Sequence, residues 1–159
     1  MLGEVGLDRA CKVNFRKQVD LFEKQLLFAN EQQINVLLIH CVRSLNDILS
    51  IVKALDYKGR LVFHDSNFSN QEIEQVTAKG YYLSFGDNLF RENSKASKSI
   101  ANIDSTKLFL ESGDGHNSIT DVYTKTASLL QLNQRELDSL ILKNFQSLFC
   151  DRNITFDFN

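Results

Sequence analysis

Two of the three histidines in this 159-residue sequence close short apolar runs. His40 follows Val36-Leu37-Leu38-Ile39, and His64 follows Leu61-Val62-Phe63. Two carboxylates stand in comparable places. Glu4 lies inside the first apolar run, and Glu111 ends the run Leu108-Phe109-Leu110, with Ser112-Gly113-Asp114 after it. Neutral imidazole nitrogen and carboxylate oxygen together suit Zn²⁺ or Mn²⁺, whereas Mg²⁺ prefers more oxygen and water. A single histidine after an apolar run is more often a hydrogen-bonded structural group than a ligand. Two at equivalent strand ends, with a carboxylate on a third strand, shift the balance toward a divalent-metal site. His116 sits in a loop rich in Gly, Asp and Asn and reads as solvated. Cys41 lies beside His40 on the other face of a strand and reads as a buried thiol.

These residues are useful only if the elements under them converge. Apolar runs at residues 2–7, 36–40, 61–64, 81–85 and 108–111 predict five strands. Between them lie amphipathic stretches. Residues 14–33 carry Phe15, Val19, Phe22, Leu26 and Ala29 at helical spacing. Residues 45–55, 71–78 and, more weakly, 94–101 follow, with Gly80 placed to stop the third. Residues 119–130 and 134–149 complete the series, the last with Asn133 and Glu136 spaced as a capping box. Strands alternating with helices predict an α/β fold with a parallel sheet, whose chemistry collects at the C-terminal strand ends. The whole of residues 1–159 reads as one domain, with residues 151–159 as an extra tail. The alternation of Ile154 to Phe158 is assigned to the surface rather than to a sixth strand.

Composition sets limits. The net charge is -2 and the isoelectric point ≈ 5.9. A protein that neutralises many phosphates with its own side chains is usually basic. Any nucleic-acid chemistry here must draw positive charge from a few local contacts or from metal ions. The three cysteines are odd in number and widely spaced, which suggests neither a disulfide framework nor a zinc knuckle and fits the cytoplasm. No apolar run approaches the roughly 18 residues of a membrane span.

Several segments, taken in order, resemble the TatD family of metal-dependent deoxyribonucleases. Gly3-Glu4-Val5-Gly6-Leu7-Asp8 is similar to its GE-[IV]-GLD signature, Ile39-His40-Cys41 to its IHC strand end, and Phe63-His64 to its third metal-binding position. Residues 80–86, reading GYYLSFG, resemble its G-x-YLSFG strand, and residues 108–112 its LFLET run. Residues 144–149 resemble its closing N-x-x-x-LF helix. The resemblance implies a TIM-type (β/α) barrel and hydrolysis of DNA phosphodiesters from 3′ to 5′ with a divalent metal, Mg, Mn or Zn. It implies Glu4 as a bridge between two ions, and His40 and His64 as ligands of one of them. Arg43 stands one place later than the arginine that commonly follows His-Cys in the family, and is implied as a substrate-binding residue.

Two departures qualify this. The family opens with an H-x-H pair on its first strand, and no such pair occurs here. The expectation is therefore an incomplete barrel that begins at the equivalent of the fourth strand. Its N-terminal strands would be missing, its activity impaired and its open edge prone to self-association. The family's catalytic Asp after LET is matched by Gly113. Asp114 comes one residue late and would face the other way on a strand unless Gly113 kinks the backbone. Three readings stand together at this point: a truncated hydrolase, a non-catalytic remnant acting as a metal-binding or assembly module, and an α/β domain with structural histidines.

Overall fold

The computed structural model describes residues 1–113 and 115–149. Its five strands are β1 (Leu2–Asp8), β2 (Val36–Val42), β3 (Arg60–Phe63), β4 (Tyr82–Phe85) and β5 (Leu108–Leu110). They pair in the order β1-β2-β3-β4-β5, and every pair is parallel. The expected parallel, sequential sheet is therefore present, with strand ends moved by one or two residues. Among the described residues, β1 and β5 are the edges of the sheet. The tail, residues 151–159, which the sequence assigns to the surface, lies outside the described residues.

Period-two alternation divides each strand between two faces. One face meets the helices α1 (Phe15–Glu31), α2 (Leu45–Ala54), α3 (Asn70–Thr77), α4 (Lys95–Ser99), α5 (Ile119–Leu130) and α6 (Gln134–Phe149). Val5, Leu7, Leu37, Ile39, Leu61, Phe63, Leu83 and Phe85 bury there against helix residues such as Phe22, Leu26, Ile48, Val76 and Val122. The other face carries a smaller apolar cluster in which Val36, Val62 and Tyr82 pack with Leu148 of α6. Continuing along that second face toward the C-terminal strand ends, the same alternation reaches His40, His64 and Glu111. Each strand thus places its apolar residues below and its polar ones above.

Most helix starts carry a side-chain cap. Asn14 caps α1 through the Lys17 N–H, and capping boxes join Ser69 with Glu72 and Ser118 with Asp121. The Asn133–Glu136 box foreseen in the sequence is reciprocal, at 2.8 and 3.0 Å. The helix expected over residues 94–101 is shorter. It runs Lys95–Ser99 and gives way to a 3₁₀ turn at Ile100–Asn102. Serine hydroxyls compete for its carbonyls: Ser99 Oγ lies 2.7 Å from the Lys95 carbonyl and 2.8 Å from that of Phe68. No described helix is long and apolar enough to cross a membrane.

Glu72 offers a test of this packing through pH. Burial acts to raise its carboxyl. Hydrogen bonds from the Ser69 backbone, from Lys95 and from the Ser69 hydroxyl outweigh this and hold it below the ordinary carboxylate value. Folding therefore favours the ionised form. Its stabilisation is complete above the unfolded-state pKa of about 4.3 and is lost as pH falls through the lower folded-state value. Glu72→Gln is expected to cost about 0.5–1 kcal/mol near neutrality. Thermal melts should show the gap from the parent closing in strong acid; a gap that stays constant with pH would contradict the assignment.

Candidate metal centre

The centre is built where β2 and β3 reach their C-terminal ends beside β1. Gly6 pairs with His40 across β1 and β2, and Ile39 with Phe63 across β2 and β3. A Cβ on Gly6 would meet the His40 carbonyl oxygen, and the residue has φ +148, so only glycine lets the two strands approach this closely here. The ladder continues past the strand ends: His64 N–H donates to the Ile39 carbonyl at 3.1 Å, and Glu111 N–H to that of Phe85 at 3.0 Å. Both imidazoles therefore stand on backbone that is fixed to its neighbour.

Glu4, His40 and His64 each offer a donor atom, and these atoms all lie within 4.8 Å of one another. Among the described residues, this is the group of His, Cys and carboxylate side chains that converges in this way. His40 Nδ1 is 3.1 Å from His64 Nε2, and His64 Nε2 is 3.2 Å from Glu4 Oε2. A tetrahedral shell with bonds of 2.0–2.1 Å separates neighbouring donors by about 3.3 Å. The spacing and the nitrogen–oxygen donor set both fit a divalent cation.

Behind each imidazole stands a carboxylate that sequence reading had not placed in this role. Asp8 Oδ2 lies 3.5 Å from His40 Nε2, and Glu111 Oε1 lies 3.9 Å from His64 Nδ1. Asp8 in this place favours a proton on the outward nitrogen of His40 and leaves its inward lone pair for an ion, whereas Glu111 is beyond hydrogen-bond reach and acts on His64 as a nearby charge. Asp8 is held on both sides, because the Gln18 amide accepts from its N–H at 2.8 Å and donates to its carbonyl at 3.0 Å. Burial acts to raise the Asp8 carboxyl, but the Ala10 N–H, His40 and the Cys11 N–H keep it below its usual range. Burial dominates at Glu111 and raises it, although the Asp65 N–H donates to its carboxylate. Asp8 shares a strand face with Glu4 and Gly6, so period two alone could have suggested it. Nothing in the sequence marks Gln18.

A cavity of about 460 Å³ opens above these groups, lined also by Asp65, Asp87, Arg91, Gly113 and His116. His116 is exposed, as its loop suggested, yet it belongs to this wall. Asp87 ties the loop down by accepting from the Asn117 amide at 2.8 Å and from the backbone N–H of His116 and Asn117 at 3.1 and 3.2 Å. Arg43 is not on this cavity. It lines an adjoining groove. Gly113 has φ +52, the left-handed kink considered for it; Asp114 lies outside the described residues. Cys41 is half-buried on the helix-facing side, 3.8 Å from the Ser44 hydroxyl, and burial raises its thiol.

A family model described as TatD related DNase matches residues 1–150. No curated protein matches the chain significantly. Among solved structures, a hydrolase TatD family protein from Entamoeba histolytica superposes with a TM-score of 0.82 at 15% identity, over 95% of this chain and 63% of that one. YJJV, a TatD homologue from Escherichia coli K12, gives 0.81 at 23% identity, over 92% and 62%. An uncharacterized amidohydrolase from Saccharomyces cerevisiae gives 0.76 at 13% identity, over 92% and 64%. At these identities the likeness is one of fold. The chain spans less than two thirds of the length of each of these structures.

Metal titration against a chromophoric chelator should separate ligands from their supports. His40→Ala and His64→Ala are each expected to weaken Zn²⁺ binding by more than about 100-fold, and Asp8→Asn by about 10-fold. Binding unchanged in both histidine variants would make the pair structural.

Proposed function

The chain belongs to the family of TatD-related DNases, and we propose that it is a metal-dependent hydrolase of DNA phosphodiester bonds that trims from the 3′ end. The observation that carries this is the convergence of Glu4, inside β1, with His40 and His64 near the C-terminal ends of the parallel strands β2 and β3. In this reading His40 and His64 would hold one divalent ion, and Glu4 would be a carboxylate ligand shared with a second. Divalent ions at such a place supply Lewis acidity toward a phosphoryl oxygen and lower the pKa of water toward neutrality. The chain's own residues set the geometry. Asp8 orients His40, Glu111 places a carboxyl near His64, and Asp87 holds the 115–117 loop against the cavity wall.

The reading includes a low rate for these 159 residues by themselves. The described residues form one convergent donor group, and a two-metal displacement uses two. It also treats this sheet as part of a barrel of the TatD type, in keeping with the share of the solved structures that the chain spans.

A second reading, a metal-binding module without catalysis, is favoured by Gly113, which lines the cavity where the family resemblance calls for an Asp. One assay separates the two. Nucleotide release from single-stranded DNA is to be followed with Mg²⁺, Mn²⁺ or Zn²⁺. The hydrolase reading expects slow release that needs the metal and falls at least about 10-fold in His64→Ala. Tight metal binding with no release under any ion would establish the module instead. Release that survives His64→Ala would contradict both.

A further inference from the structure

Arg91 lines two clefts at once. One is the cavity over the metal donors. The other is a groove of about 520 Å³ whose walls include Arg43, Asn67, Glu72 and Lys95. Asp65 and Arg91 are the residues common to both, so the clefts meet there.

The two clefts differ in charge. The metal cavity presents the carboxylates of Glu4, Asp65, Asp87 and Glu111 against the single guanidinium of Arg91. In the groove, Lys95 is committed to Glu72 at 3.0 Å, and the Asp65 carboxylate accepts from the Asn88 amide at 2.8 Å. Arg43 and Arg91 are exposed, and neither belongs to a salt bridge among the described residues, although Arg91 is near enough to the Asp65 carboxylate to favour its charge.

Both arginines project from pinned backbone. Arg43 sits at φ +54 beside Ser44, whose buried hydroxyl donates to the Leu7 carbonyl at 2.7 Å. The Arg91 carbonyl accepts from the Ser94 N–H at 2.9 Å and from Ser97 Oγ at 3.0 Å. Two guanidinium groups outside any salt bridge line one groove, and one of them also stands at the rim of the metal cavity, so each can meet a phosphate of an extended strand. The planar fork of each can bind a phosphate through two hydrogen bonds.

We infer that the groove is the track for a single strand of DNA, with Arg91 holding a phosphate beside the metal cavity and Arg43 a phosphate further along the groove. The inference rests on the phosphodiesterase reading for the direction of the strand, but the binding it describes needs no metal.

The test is anisotropy of a fluorescein-labelled oligothymidylate with the full chain, in EDTA at low salt, repeated at rising salt. Arg91→Gln and Arg43→Gln are each expected to weaken binding roughly tenfold and to reduce the slope of log affinity against log salt by about 0.7. Arg91→Lys should keep most of the slope while losing affinity. Lys98→Gln, an exposed lysine that lines neither cleft, should change nothing. Affinity and slope that are unchanged in both glutamine variants, or a parent chain that does not bind the oligonucleotide, would overturn the track. His64→Ala keeps the two readings apart, because it should abolish metal binding and leave metal-free DNA binding intact. Arginine effects in a chain that holds no metal would leave the track standing and remove the hydrolase; the converse result would do the opposite.

Discussion

His40 Nδ1 and His64 Nε2 face each other at 3.1 Å, with a Glu4 oxygen 3.2 Å from the second. Two imidazole nitrogens at that distance can satisfy each other only if one carries a proton, since each must otherwise present a lone pair to the other. A divalent cation between them removes the conflict, because both lone pairs and the carboxylate can point at it. Much of the surrounding structure serves this arrangement. Gly6 permits β1 to approach the His40 backbone, the β2–β3 ladder sets the spacing of the two rings, and Asp8 and Glu111 stand at their outer nitrogens.

The distribution of charge follows from the same centre. A net charge of -2 first reads as a reason to doubt a nucleic-acid enzyme. The structure puts several of the carboxylates responsible in one cavity, where they are suited to cations rather than to a polyanion. Arg43 and Arg91 provide positive charge in the adjoining groove. Local arrangement, and not the sum of charges, decides what such a surface attracts.

The framework was legible because its signals are local and periodic. Leu37, Ile39, Leu61 and Phe63 are apolar where the helices cover them, and the interruptions at His40 and His64 fall where β2 and β3 reach their C-terminal ends. Asn133 and Glu136 announced a helix start by spacing alone. Less legible were residues whose role depends on a distant partner. Gln18 matters because α1 brings it back to the end of β1, and Arg91 because the Asp87–Phe90 turn carries it between two clefts. The family resemblance implies Arg43 as a substrate-binding residue after the His-Cys pair, yet it stands at φ +54 and lines the neighbouring groove rather than the metal cavity. The helix expected over 94–101 was cut short because serine hydroxyls reach its carbonyls, a competition that apolar periodicity does not register.

X-ray absorption spectroscopy of the Zn²⁺-loaded chain tests the centre most directly, because it reports the atoms bound to the ion without reference to activity. The account predicts a first shell of nitrogen and oxygen at about 2.0–2.1 Å, with outer-shell scattering from two imidazoles that drops to one in His40→Ala and in His64→Ala. A sulfur shell at about 2.3 Å, or a spectrum without imidazole scattering, would contradict it.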